Sequence, residues 1–376
     1  MYLTHISLIN FRNYRELNLA FSPKFNCFAG NNGAGKTNLL EAIYYLSFCK
    51  SFSNPVDSQN ILFDNDYFLI KGIYQVNGSA DELYCGVKRN QKKVFKRNKK
   101  EYDKLSEHIG HYPLVLISPG DINLIQGGSE ERRRFIDGVI AQYSSIYLTH
   151  LLQYNKALLQ RNALLKLQSE RKQFDDATIE VYDQQLEYHG NYIFEQRKTF
   201  FAEFVNVFNH FHEILSGKNE KVGLDYQSTL HEGDFLQQLK DARQKDRLMQ
   251  FTTVGIHKDD LQFEIHGVQV KRFGSQGQQK TFLIALKLAQ HNFTKEKKGI
   301  SPILLFDDIF DKLDDNRVEQ LMLLVNNDTF GQVFITDTNA GRLDALFGKL
   351  SGISHIYQVK NGDIQLASSF YPNNGN

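Results

Sequence analysis

Gly30-Asn31-Asn32-Gly33-Ala34-Gly35-Lys36-Thr37 decides the reading of this chain. The segment fits the pattern G-x-x-x-x-G-K-S/T. An apolar run, Phe25 to Ala29, leads into it, and beyond Thr37 the residues Leu39, Leu40, Ile43, Tyr44 and Leu46 recur on one helical face. The context is therefore strand, glycine-rich loop, helix. Glycines let backbone wrap closely around phosphates, and the exposed amides together with the helix N-terminus attract negative charge. The spacing predicts a nucleoside triphosphate site in which the backbone of Gly30, Asn31, Asn32, Gly33, Ala34 and Gly35 cradles the phosphates. Lys36 is expected to reach the β- and γ-phosphates, and the Thr37 hydroxyl to ligate Mg²⁺.

Working outward, two further segments fit that site. Ile303-Leu304-Leu305-Phe306 is a short apolar run that ends in Asp307 and Asp308. A buried parallel strand of this kind would bring its terminal acid beside a phosphate loop, so Asp307 is the expected metal-side carboxylate. Asp308 stands where a base or water-orienting carboxylate would sit. Phe273-Gly274-Ser275-Gln276-Gly277-Gln278-Gln279-Lys280 leads directly into an apolar helix and offers amides and a hydroxyl to an anion. Taken alone, it reads equally well as a helix cap.

The rest of the chain divides by periodicity. Strand-like alternation marks Leu3, Ile6, Leu8 and Phe11, then Leu17, Leu19 and Phe21, and short strands return over residues 67–105 and at Pro113 to Ile117. From about 129 to 216 the spacing is helical, broken by a polar stretch near 166–178, which predicts a helical hairpin or short antiparallel coiled coil. Its aromatic residues read as core. Residues 217–250 read as polar and irregular. Leu261 to Ile265, a helix over 276–291, Ile303 to Phe306, a helix over 315–325 and Val333 to Ile335 follow. The fold class expected is α/β. Residues 1–118 and 296–376 would form the two parts of one α/β lobe, and 119–295 an inserted, mostly helical second lobe that includes Phe273 to Lys280.

Composition excludes little. The chain has 376 residues and a formal charge of +1, so contact with nucleic acid would have to come from local patches. Cys27, Cys49 and Cys85 stand far apart, which argues against a disulfide or zinc framework and for buried thiols in a reducing compartment. Met1 to Ile6 lacks the look of an export signal, and no apolar stretch reaches the roughly 18 residues of a membrane span. A cytoplasmic protein with no membrane partner is expected.

Several segments together resemble the RecF family of ABC/SMC-class ATPases. They are Ile9-Asn10-Phe11-Arg12-Asn13-Tyr14, the phosphate loop, Lys50-Ser51-Phe52, Pro119 through Arg132-Arg133-Arg134-Phe135-Ile136-Asp137, Gly255-Ile256-His257-Lys258-Asp259-Asp260, and Ser275-Gln276-Gly277-Gln278-Gln279. The resemblance runs from residue 3 to about 340. It implies an ABC-type ATPase head that binds ATP with Mg²⁺. Ser275, Gly277 and Gln278 would act as the signature that completes the ATP site of a partner copy, and Leu313-Asp314-Asp315 as the D-loop. It further implies an ATP-dependent homodimer with slow, DNA-dependent hydrolysis. Such a dimer would bind duplex DNA and single-strand/duplex junctions, and work with RecR and RecO in loading RecA on gaps coated by SSB.

The chain departs from the family at Gly120, Ser129 and Asp311-Lys312. Asp308 stands where related ATPases carry Glu, and Asp337-Thr338-Asn339 holds no switch histidine. A transporter ATPase is the first alternative, but its two nucleotide motifs usually lie much closer than Gly30 and Ser275. An SMC-type ATPase needs a far longer coiled coil.

Three other segments invite a functional reading. Residues 88–100 hold eight Lys or Arg around Val94 and Phe95, a phosphate-tracking hairpin or simply a charged sheet edge. Arg132, Arg133 and Arg134 open a helix and could face DNA or the other lobe. His257 with Asp259 and Asp260 lacks metal-ligand spacing and reads as structural.

Overall fold

Alternation at Leu3, Ile6, Leu8 and Phe11 slips by one residue after Leu3, and the slip is a β-bulge between Leu3 and His5. The computed structural model describes residues 1–217, 220–310, 315–327, 329–347 and 352–371. Its elements begin with β1 (Tyr2–Phe11), β2 (Tyr14–Ala20), β3 (Phe25–Ala29) and α1 (Lys36–Phe48). Then come β4 (Tyr67–Val76), β5 (Ser79–Lys88), β6 (Val94–Arg97), β7 (Lys100–Glu101) and β8 (Leu114–Ile117). The middle of the chain holds α2 (Asn123–Gln126), α3 (Ser129–Tyr143), α4 (Ser145–Arg171), α5 (Asp176–Ser216), β9 (Val222–Gln227) and α6 (Phe235–Met249). It continues with β10 (Asp260–Ile265), β11 (Val268–Gln269), α7 (Val270–Phe273) and α8 (Gln276–Lys298). The last elements are β12 (Ile303–Phe306), α9 (Asp315–Asn326), β13 (Val333–Asp337), α10 (Ala340–Phe347), β14 (Ser354–Lys360) and β15 (Asp363–Phe370).

Two compact units emerge, Met1–Asp121 with Ile284–Asn376, and Ile122–Leu283. The reading from sequence put the second lobe at 119–295. The C-terminal division falls inside α8, between Leu283 and Ile284, where no glycine, proline or cap marks it.

The first unit holds two six-stranded sheets. One is antiparallel, in the order β2-β1-β4-β5-β6-β7. The other runs β15-β14-β3-β13-β12-β8, and all its neighbours are parallel except β15 on β14. β3, β12 and β13 are buried at every position, as parallel strands covered on both faces must be, which is why they read as unbroken apolar runs. Leu39, Leu40, Ile43 and Leu46 of α1 share one core with Leu3, Ile70 and Leu83 of the antiparallel sheet and with Leu305 and Phe334 of the parallel one. The C-terminal ends of β3, β13 and β12 therefore lie side by side at the start of α1, where ligands bind in parallel sheets.

In the second unit α4 and α5 form the expected hairpin. Asp175 caps α5 by accepting from the amides of Ala177 (3.0 Å) and Thr178 (3.2 Å). Ile193, Phe200, Phe204 and Phe208 are buried, in agreement with their reading as core. The interior also holds charge. Arg161 donates to Asp183 (2.7 Å), Asp246 (2.6 Å) and Thr252 (3.0 Å). Residues 217–250 are not irregular. They contain β9, paired with β10, and α6, whose inward positions are Phe235, Leu239, Ala242 and Asp246. One of those four is an acid facing Arg161, so the apolar stripe is too thin to announce a helix.

Candidate nucleotide site

The loop from Gly30 to Gly35 joins β3 to α1 and is pinned on both flanks. The amide of Gly30 donates to the carbonyl of Asp337 at the end of β13 (3.2 Å), and a Cβ at Gly30 would lie 2.4 Å from the carbonyl oxygen of Val359. Gly35 has φ 116°, and a Cβ there would meet Asn13 Nδ2 at 2.5 Å. Only glycine fits either position. Gly33 also has positive φ, Ala34 donates its amide to Asn31 (3.2 Å), and Asn31 and Asn32 face solvent. Lys36 is buried at the helix start, and its Nζ donates to the carbonyls of Gly30 (2.8 Å) and Asn31 (3.2 Å). Its charge thus sits at the centre of the loop.

Asp307 ends β12 and is buried, and its Oδ1 accepts from Thr37 Oγ1 (2.8 Å) and Thr336 Oγ1 (2.9 Å). Burial pushes this carboxyl above the usual range and Asp308 adds to the rise, while the two hydroxyl donors and Lys36 pull it back. A desolvated carboxylate beside a threonine hydroxyl is a pair of hard oxygen donors that suits a magnesium ion. Asp308 has φ 45°, its amide donates to Thr336 Oγ1 (2.9 Å), and its Oδ1 lies 3.9 Å from Lys36 Nζ. Its side chain keeps 28% of its exposure, so water reaches Asp308 but not Asp307. Leu313 and Asp314 of the D-loop-like segment, with Asp311 and Lys312, lie outside the described residues.

Three parts of the site were given no place at it by the sequence. Thr336 stands on the strand between β3 and β12 and holds both acids. The β1–β2 turn clasps the loop: Tyr14 Oη donates to the carbonyl of Gly35 (2.8 Å), Asn13 Nδ2 to that of Ala34 (3.2 Å), and Asn38 Nδ2 to Asn13 Oδ1 (2.8 Å). Glu41 is buried on α1, accepting from Arg12 Nε (2.8 Å), Ser51 and Ser53 (2.6 Å). The segments Phe11-Arg12-Asn13-Tyr14 and Lys50-Ser51-Phe52 therefore brace the phosphate loop and its helix. A third fastening, Arg342 on Asp337 (2.9 and 3.0 Å), steadies the end of β13.

In the second unit Ser275 and Gln278 form a reciprocal cap. The Ser275 amide donates to Gln278 Oε1 (2.8 Å), and the Gln278 amide to Ser275 Oγ (3.2 Å). Gln278 Nε2 donates to Glu220 (2.8 Å), so its side chain serves the helix start. Ser275 itself is exposed. Of the three arginines, Arg132 grips Asp260 through two bonds (2.7 and 3.0 Å), Arg133 donates to the carbonyl of Asp259 (2.6 Å), and Arg134 is exposed beside Glu130 and Glu131. His257 Nε2 faces the carbonyl of Thr252 (3.0 Å), which can only accept, so Nδ1 accepts from Tyr154 Oη (2.8 Å). Both ring nitrogens are occupied. Asp259 accepts from Arg197 (2.7 Å) and Tyr226 (2.5 Å), so residues 255–260 act as an internal hub.

Comparison with known proteins follows the same lines. Residues 1–105 match the AAA ATPase domain. Over 366 residues the chain is 51% identical to the DNA replication and repair protein RecF of Phocaeicola vulgatus, covering 97% of this chain and 98% of that protein. It is 49% identical over 365 residues to the protein of the same name from Bacteroides fragilis, again covering 97% and 98%. The structure superposes on that of the recombination mediator protein RecF-ATPrS in the RecFOR pathway with a TM-score of 0.88 and 31% identity, covering 98% of both chains. An Smc head domain from Pyrococcus furiosus shares the fold at TM-score 0.59 and 18% identity, covering 98% and 96%. The fold is the one expected, an α/β ABC-type ATPase head with a mostly helical second lobe.

Proposed function

Because the chain belongs to the RecF family of DNA replication and repair proteins, we propose that it is an ATP-driven dimer that acts on DNA at single-strand gaps. The Thr37–Asp307 contact under a glycine-lined loop is the observation that carries the ATP part of this reading, and the family relationship supports the DNA part. ATP would lie along residues 30–37, with Lys36 turning from the loop carbonyls to the β- and γ-phosphates. Thr37 and Asp307 would hold magnesium, which supplies charge neutralisation on the phosphate oxygens. Thr336 keeps Asp307 oriented, and Asp308, open to water, orients or deprotonates the attacking water.

The γ-phosphate side would be closed by a second copy. Ser275, Gly277 and Gln278 open α8, and the cap occupies the amides of Ser275 and Gln278, leaving those of Gln276 and Gly277 for an outside acceptor. Two such sites follow from twofold pairing. In the cytoplasm the dimer would engage duplex DNA and junctions, with RecR and RecO, to load RecA, and slow hydrolysis would release it.

Light scattering with ATP and magnesium tests the shared site. Wild type should dimerise. Ser275→Arg should keep its nucleotide affinity yet stay monomeric, and Lys36→Ala should lose both. Dimerisation of Ser275→Arg, or a wild type that stays monomeric at high concentration, refutes the model.

A further inference from the structure

The exposed edge of the antiparallel sheet carries charge that the nucleotide site does not use. Residues 88–100 span the end of β5, the turn after it, β6 and β7. Two of its cations serve the fold. Lys93 Nζ donates to the Cys49 carbonyl (2.6 Å) and to Asp57 (2.7 Å), and Arg97 pairs with Asp81 (2.7 Å). Lys96 lies over the Tyr84 ring at 5.8 Å. The other five, Lys88, Arg89, Lys92, Lys99 and Lys100, are exposed, and no acid pairs with them among the described residues.

Edge lysines discourage strand addition, which would account for Lys100 on the two-residue edge strand β7. That explanation does not reach Lys99. Arg97 pairs with Lys100 across a two-residue turn in which Asn98 has φ 49° and Lys99 has φ 70°. Both positions are left-handed, the type I′ geometry that favours Asn and then Gly. Asn98 suits its place, bonding Asp81 through Nδ2 (2.7 Å) and accepting from the Glu82 amide (2.8 Å). At the next position a lysine replaces the favoured glycine and carries a Cβ into the αL region. The tip is thus fixed rigidly and ends in an ammonium that its own backbone disfavours.

The cations gather at the two ends of β6, whose four residues span about 13 Å at ~3.3 Å each. That separation is close to the roughly 12 Å opening of the major groove of a duplex. Phe95 is buried and Tyr84 is covered by Lys96, so neither ring of β5 or β6 is free to stack an unpaired base, and Tyr67, opposite Lys88, is the exposed ring beside the patch.

We propose that the hairpin at 88–100 is a backbone contact for duplex DNA, with Lys88, Arg89 and Lys92 meeting one phosphate strand and Lys99 and Lys100 the other. This rests on the reading that the chain acts on DNA. The test is fluorescence anisotropy of a labelled random duplex with the full chain, ATP and magnesium, between about 50 and about 200 mM salt. The triple variant Lys92→Ala, Lys99→Ala, Lys100→Ala should bind more than tenfold more weakly at low salt. The slope of log affinity against log salt should shrink by about 2.7. Lys99→Gly separates charge from backbone: relief of the left-handed strain should raise the melting temperature by about 1–3 °C, while the salt slope shrinks by about 0.9. Undiminished duplex binding by the triple variant overturns the hairpin assignment alone. A more stable Lys99→Gly with an unchanged salt slope does the same. A wild type that retains no DNA with ATP overturns the underlying reading as well.

Discussion

Tyr14→Phe isolates one fastening of the phosphate loop. The ring is fully buried in the first unit's core, and phenylalanine keeps that packing while deleting the hydroxyl that donates to the Gly35 carbonyl at 2.8 Å. A buried neutral hydrogen bond contributes about 1 kcal/mol net, and the Gly35 carbonyl keeps its bond from the Leu39 amide (3.2 Å), so no acceptor is stranded and the loss stays near that figure. Gly35 holds φ 116°, a conformation the clasp helps to select, and its carbonyl accepts from Tyr14 as well as from the Leu39 amide. If the bond preorganises that cradle, about 1 kcal/mol of loop order must be recovered when ATP binds, and affinity should fall about fivefold. Calorimetric titration of ATP with magnesium reads the affinity, and urea unfolding reads the stability. Asn13→Ala, which removes the bonds to Ala34 and Asn38, should act in the same direction. Tyr14→Phe with lower stability and unchanged ATP affinity would show that the clasp serves the fold alone, and the argument for preorganisation would fail.

Two further outcomes are expected. Asp308→Asn should bind ATP normally, hydrolyse it at least tenfold more slowly and accumulate as a dimer, because the group acts on water; single-turnover hydrolysis at the wild-type rate would move the role elsewhere. His257 is pushed down to about 4 by burial, whereas an unfolded histidine titrates near 6.5, so the unfolded chain binds the extra proton between those values. Stability is then complete above about pH 6.5 and should fall by about 2 kcal/mol by pH ~5 on account of this group, with His108, also pushed down to about 4, adding a similar loss. Urea midpoints at the two pH values check this, and His257→Gln should flatten the acid limb.

How far the sequence could be read depended on whether a residue's partners lie near it in the chain or far from it. The phosphate loop carries its reason within eight residues, and β3 and β12 announce their burial by unbroken apolar runs. Asp307 could be placed because a parallel strand ending in an acid has few other places to go. Thr336 could not, since nothing in Val333 to Asp337 says that β13 inserts between β3 and β12. The roles of Asn13 and Tyr14 were hidden for the same reason, their acceptors lying 21 residues away at Ala34 and Gly35. α6 was misread because its inward face is completed by Asp246, an acid that looks like surface until Arg161 is placed opposite it.

The phosphate loop and the interior of the second unit hold their charges in opposite ways, and the contrast bears on which of them can change shape. In the second unit Arg161 and Arg197 are almost fully enclosed and each meets two carboxylates, Asp183 and Asp246 for one, Asp137 and Asp259 for the other. Breaking any such buried pair strands an ion, which costs roughly 3–5 kcal/mol, so these helices behave as one stiff piece. At the phosphate loop the cation Lys36 rests on neutral carbonyls and stays 3.9 Å from Asp308. Carbonyl contacts of this kind can be exchanged for phosphate oxygens without abandoning a buried ion pair, so Lys36 can answer to ATP at little cost. An ATP-dependent change in this chain should therefore begin at Lys36, Asp308 and Thr336, and leave the ion pairs inside the second unit intact.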